Sequence, residues 1–277
     1  MTSPPGGAGT LGRVRLPVAL AALVLVLAPA LAGCGSGDDE PAASDAVEAP
    51  QVGACRVLGA DDVARPDDTT KTVDCAQPHT AETYAVGDLP AELQDAEWDS
   101  EELGAWAYQT CSQGFQQFLG ADESTVMRTV LSWAWFRPSE AAWDAGARWY
   151  RCDLVGGGEK SASYVDLPAT SAAGLLADRP DDQWMVCVDG QSVESAPKIP
   201  CTEKHNWRAV TTIKVGEPGD PYPGDRPVEV TTRDYCSQSV AAWLGYPPEY
   251  DFGYTWFHEG EWKAGNRRSI CWAKTAQ

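Results

Sequence analysis

The chain has 277 residues, with 40 acidic against 21 basic side chains, a formal charge of −19 and nine cysteines. At 43% hydrophobic and 22% charged it is too apolar for wholesale disorder. Its acidity argues against a surface that holds nucleic acid or anionic lipid by counterion release.

Nine is an odd count, so a fully oxidised monomer leaves one thiol over. The N-terminus supplies a role for it. Arg13 and Arg15 form a positive start, and residues 16–31 are an apolar run broken only by Pro17 and Pro29. As a helix that run would span roughly 24 Å, short of a bilayer core of about 30 Å. Residues 1–33 are therefore expected to be a signal peptide and not a spanning anchor. They lead into Leu31-Ala32-Gly33-Cys34, which resembles the bacterial lipobox. That resemblance implies cleavage before Cys34 and attachment of diacylglycerol and palmitate to it. The implied location is the extracytoplasmic face of a bacterial cell membrane, as a lipoprotein. Two acyl chains anchor stably where one is marginal. Losing Arg13 and Arg15 but no acid takes the charge from −19 to −21, so lipid, and not surface charge, would hold the protein at the membrane. Residues 34–52, with Gly-Ser, Asp-Asp-Glu and Pro-Ala-Ala content, read as a flexible tether.

The remaining cysteines fall at 55, 75, 111 and 152, then at 187, 201, 236 and 271. Their surroundings repeat in order. Cys75 with His79 is matched by Cys201 with His205, and Cys111-Ser112-Gln113 by Cys236-Ser237-Gln238. Leu119-Gly120 recurs as Leu244-Gly245, and Trp135-Phe136 as Trp256-Phe257. Trp143-x-Ala145-Gly146-x-Arg148 before Cys152 reappears as Trp262-x-Ala264-Gly265-x-Arg267 before Cys271. The chain is thus two copies of one module, over 53–155 and 183–277, joined by a connector at 156–182 whose Gly156 to Gly158 imply a flexible start. An extracytoplasmic setting favours disulfides. Of the three pairings open to each copy, first-with-second and third-with-fourth are expected: Cys55–Cys75, Cys111–Cys152, Cys187–Cys201 and Cys236–Cys271. The first pair would bracket a turn-rich segment, and the second would join a helix to a closing strand.

In chain order, residues 80–86 are strand-like, and 101–119 carry helical spacing through Leu103, Trp106, Ala107, Phe115 and Phe118, closed by Gly120. Residues 130–136 and 149–155 read as strands. In the second copy 207–215 is a β-branched strand, 232–244 the counterpart helix, and 253–257 and 269–273 the last strands. The expected fold is α+β: two tandem copies of a small disulfide-bonded antiparallel sheet with a helix packed on one face.

Val73-Asp-Cys-Ala-Gln-Pro-His79 followed by Glu82, and the tryptophan-glycine-arginine ending at Cys152, resemble the septum formation domain of actinobacterial cell-envelope proteins. The resemblance runs over about residues 53–277. It implies a membrane-anchored role in septum formation or cell division and brings no catalytic residues or cofactor with it. Copy two departs from it, with Lys204 in place of the proline before histidine and Arg208 in place of Glu82.

His79 and Glu82 invite an acid–base or metal reading. Residues three apart on a strand face opposite ways, and His205 persists without the acid, so a structural role is expected for both histidines. His258 aligns with Arg137 and belongs to no repeated metal set, and no Cys-x-x-Cys occurs, so no metal is implied. Ser195-Ala-Pro-Lys198 lacks the helix start and companion motifs of a serine nucleophile, and 156–160 lacks P-loop spacing. The 12 tryptophans are read mainly as core, with Trp98, Trp106, Trp149 and Trp207 as candidates for exposure. The leading expectation is a non-enzymatic binding or scaffolding protein for an envelope or division partner, without nucleic acid. A wall-glycan module using exposed tryptophans is the alternative, and a hydrolase using Glu82 and neighbours such as Asp88 a third.

Overall fold

A computed structural model describes residues 47–275. The signal segment, Cys34 and the tether up to residue 46 lie outside the described residues. Among the described residues no helix is long and apolar enough to cross a membrane.

The first copy contains β1 (Cys55–Arg56), α1 (Ala60–Val63), β2 (Ala81–Asp88), α2 (Glu101–Leu119), α3 (Glu123–Val126), β3 (Ser132–Phe136), α4 (Glu140–Asp144) and β4 (Trp149–Val155). The second contains β5 (Val186–Val188), β6 (Lys198–Pro200), β7 (Trp207–Lys214), α5 (Asp225–Trp243), β8 (Phe252–Thr255), α6 (Glu259–Ala264) and β9 (Arg268–Lys274). The two antiparallel sheets run β1-β2-β4-β3 and β6-β5-β7-β9-β8. The fold is α+β, and the copies agree in register. Ala85 lies opposite Cys152 and Thr211 opposite Cys271, each just after a bulge. The counterpart of β6 is an isolated bridge between Cys55 and Val73.

The helices explain the third and fourth cysteines. In α2 the buried residues Leu103, Ala107, Cys111, Phe115 and Leu119 recur every fourth position, and in α5 Val228, Thr232, Cys236 and Val240 do the same. Each stripe faces the sheet, and a disulfide ties it there, Cys111 to Cys152 and Cys236 to Cys271. The first two cysteines bond as Cys55–Cys75 and Cys187–Cys201. Helix α2 ends at Gly120, whose φ of 72° is the left-handed conformation that a C-terminal glycine adopts without a Cβ clash. Helix α5 begins seven residues before the expected 232, at Asp225. Pro227 falls in its first turn, where a missing N–H costs nothing. The Val228-Glu-Val-Thr-Thr232 run is β-branched by composition but is overridden by packing against the sheet.

The repeated Trp-x-Ala-Gly-x-Arg motif is a stacked pair. Arg148 lies 4.1 Å over the Trp143 ring and donates to its carbonyl at 2.7 Å. Arg267 repeats this on Trp262, 3.6 Å from the ring centre.

The second face of each sheet is also covered, by the loop between the first two cysteines, which the expectation of one helix-bearing face omitted. In copy one that face is ionic. Arg56 donates to Thr83 Oγ1 at 2.8 Å, Thr83 to Asp153 at 2.7 Å, and Arg151 to Asp68 of the covering loop at 2.8 Å. Arg151 Nε lies 3.0 Å from Asp153, and its guanidinium lies over Phe136. In copy two the equivalent positions are Val188, Ala209, Ile270 and Trp272, an apolar cluster with Val193.

The copies are welded together. Val130 of copy one belongs to that apolar cluster of copy two, while Trp184 packs into the core of copy one with Leu119 and Leu154. Backbone bonds from Val130 to Trp184 and from Val186 to Arg128 cross the junction at 2.9 Å each. The described residues, 47–275, belong to one compact unit. The connector is packed in as well, and its glycines serve close approach, not the flexibility expected of them. A Cβ on Gly156 would meet the Val165 carbonyl oxygen at 2.0 Å, and one on Gly157 the Tyr164 ring at 2.3 Å.

Candidate functional site

The two histidines occupy the same structural slot. His79 is 1% exposed and His205 2%. The Nδ1–H of each donates to the carbonyl two residues earlier, Gln77 and Glu203, at 2.8 Å. A carbonyl can only accept, which assigns the proton to Nδ1 and leaves each buried Nε2 as a lone pair without a partner. Cys187, Cys201 and His205 place their ligand atoms within 4.8 Å of one another, but both sulfurs are consumed in the disulfide, so the trio offers no thiolate.

Glu82 does not meet His79 in a shared site. One of its oxygens accepts from the Ser171 hydroxyl at 2.6 Å and the other from the Ala172 N–H at 2.8 Å. Both carboxylate oxygens thus serve to pin the connector. Its counterpart Arg208 does the same work with opposite sign, donating to Asp182 at 2.5 Å. The departure between copies is a change of clamp on one chain segment. Asp88 lies exposed at the far end of β2 from Glu82, roughly 20 Å away at the rise of a strand, so the two acids make no catalytic pair. Ser195 contacts Ser192, and Lys198 lies on β6, lining a different concavity. His258 is exposed, 3.5 Å from Asp225 and tilted against the Trp256 ring.

None of the four tryptophans that were candidates for exposure is exposed. Trp149 and Trp207 are buried. Trp98 is half-buried beneath Arg137 and donates to the Pro138 carbonyl at 2.8 Å; Trp106 is half-buried, edge-on to Tyr150. The exposed one is Trp243, at 50%. It precedes Leu244, the continuation of the α5 stripe, by one residue, and so is turned about 100° away from the sheet. The spacing of Thr232, Cys236, Val240 and Leu244 within the expected helix carries that signal.

Two concavities among the described residues gather polar side chains. A cavity of about 240 Å³ lies where both copies meet, lined by Tyr108, Phe115, Glu123, Trp133, Lys198 and Ile270. Burial lowers the Lys198 ammonium below the usual lysine value, and burial raises the Tyr108 phenol to about 12. Glu123 is taken by Arg268. The second, a cleft of about 370 Å³, gathers Arg128, Arg179, Arg208, Asp182, His205 and Trp243. It joins copy one, the connector and copy two. The hydrogen bond from Arg208 holds the Asp182 carboxyl below the usual carboxylate range, and the charges of Arg208 and Arg179 add to this. Burial lowers the Arg128 guanidinium. Three arginines from distant parts of the sequence carry no local signal and were not legible before folding.

No curated protein and no solved structure matches the chain. The family model described as septum formation matches residues 52–271 in a single span that begins three residues before Cys55 and ends at Cys271. It therefore takes in all eight bonded cysteines, the connector and both sheets up to the middle of β9, and the chain belongs to the septum formation family.

Proposed function

We propose that the chain is a lipid-anchored, extracytoplasmic, non-catalytic binding or scaffolding protein of the cell envelope that acts in septum formation. The observation that carries this is the family match over both copies. The non-catalytic part is supported by the fate of the reactive side chains: His79 and His205 hold backbone turns, and Glu82 has both oxygens occupied by the connector. Anchoring through Cys34 rests on the lipobox sequence. Deleting the protein from its own cells should leave fewer or misplaced septa, restored by the wild-type chain. Normal septa in the deletion would overturn the reading. In the same cells Cys34→Ala should move the protein from the membrane to the soluble fraction.

A second reading, binding of wall glycan, is favoured by one observation. Trp243 is half exposed at the arginine cleft, where an indole face is open to a sugar ring.

A further inference from the structure

The arginine cleft combines unspent charge with unspent hydrogen-bonding capacity in a protein of net charge −19. Arg128 is fixed by neutral acceptors, donating to Ser124 and Val210 carbonyls at 3.0 and 3.3 Å and to Thr125 Oγ1 at 3.4 Å. It is therefore held rigid with no carboxylate at ion-pair distance among the described residues, and of the carboxylates only the more distant Asp122 acts on it. Arg179 is exposed and makes no hydrogen bond or ion pair within the described residues. Only Arg208 has a carboxylate, Asp182, which is the single acid lining the cleft. Two buried polar atoms in the lining also lack partners, His205 Nε2 and Thr275 Oγ1. Guanidinium forks match the oxygens of phosphate and carboxylate, and a preorganised fork loses little entropy on binding. Trp243 adds an indole whose electron-rich face attracts the positive C–H edges of a sugar ring.

We infer that this cleft binds a sugar carrying one anionic group, with its phosphate or carboxylate on Arg128 and Arg179 and its ring against Trp243. The inference deepens the glycan reading above and rests on it. The septum count does not depend on it, so either can fail alone. Long-range repulsion from the acidic surface does not forbid it, because charges more than about 8 Å away are screened at physiological salt while the arginines act in contact.

The test is a calorimetric titration of the full chain with glucose 6-phosphate, glucuronate, glucose, inorganic phosphate and a neutral N-acetylglucosamine oligomer. At least one anionic sugar should bind with Kd in the millimolar range or tighter, and glucose and phosphate each about tenfold more weakly or worse. The tighter of glucose 6-phosphate and glucuronate identifies whether the natural group is a phosphate or a carboxylate. Arg179→Gln and Trp243→Ala alter exposed side chains and should each weaken that binding about tenfold with the thermal midpoint unchanged. Absence of saturation by both anionic sugars, equal affinity for inorganic phosphate alone, or undiminished binding in Arg179→Gln would overturn the inference. Binding confined to the neutral oligomer would overturn it too, while leaving the glycan reading in place.

Discussion

Asp68, Arg151 and Asp153 show how far a single residue's role depends on partners distant in sequence. Asp68 and Arg151 are 83 positions apart, and both are buried. Burial alone would raise the Asp68 carboxyl. Hydrogen bonds from Thr70 and Arg151, with the Arg151 charge, outweigh that and hold it below its ordinary value of 3.8. A lowered folded pKa means stability that is fully present above the unfolded value and lost as pH falls through the folded one. Asp68→Asn should therefore cost about 1.5–3 kcal/mol at neutral pH by urea unfolding, because it removes one of the two carboxylates on Arg151 and leaves Asp153 as the other. The gap to wild type should narrow as pH falls below the ordinary value of 3.8 and close once the folded carboxyl takes up a proton. A gap that persists unchanged at pH 3 would contradict the assignment. Copy two shows that the same positions work without charge, since Trp272 and Ile270 fill the space that Asp153 and Arg151 occupy. Glu82 and Arg208 were visible in the sequence as a mismatch between copies. Its meaning was not visible, because the partners Ser171, Ala172 and Asp182 lie in a connector without repeat or periodicity.

Elements with a regular apolar period were legible, and elements set by packing were not. Helix α2 runs over the expected residues because its apolar stripe and terminal glycine agree. Strand β4 likewise matches 149–155. Helix α5 was read short because its first turns are β-branched and contain Pro227. Strands β1, β5 and β6 went unread because two or three residues carry no period, and their pairing is set by the nearby disulfides. Gly156 to Gly158 was misread for a related reason: a glycine needed for flexibility and one needed for contact look alike in sequence. Gly156→Ala drives a Cβ into a backbone carbonyl that cannot rotate away, and should lower stability by roughly 1–3 kcal/mol or more. Gly146→Ser is no equivalent control, since Gly146 has a positive φ of 99°. Gly104→Ala, in open space on α2, should be neutral or slightly stabilising by thermal unfolding.

The whole molecule is one object made from two copies. The duplication was legible from cysteine context, but the fusion of the cores through Val130, Trp184 and Trp272 was not, because it joins residues whose identities are not repeated, Trp272 standing where copy one has Asp153. Two independent modules would unfold separately. Urea unfolding followed by circular dichroism and by tryptophan fluorescence should instead give one coincident transition. Two separated transitions would contradict the shared core. At this scale the arginine cleft also gains its place, since it exists only where copy one, connector and copy two meet.

The central claim is that the chain serves septum formation by binding and not by catalysis. It is tested most directly by counting septa in cells that lack the protein and carry Glu82→Gln in its place. Glutamine can keep the bond from the Ala172 N–H and a contact with Ser171, so the connector stays pinned while the candidate acid–base group is removed. The account predicts septa restored to wild-type number and position. Failure to restore them, with Glu82→Gln folded and present at wild-type level, would contradict it.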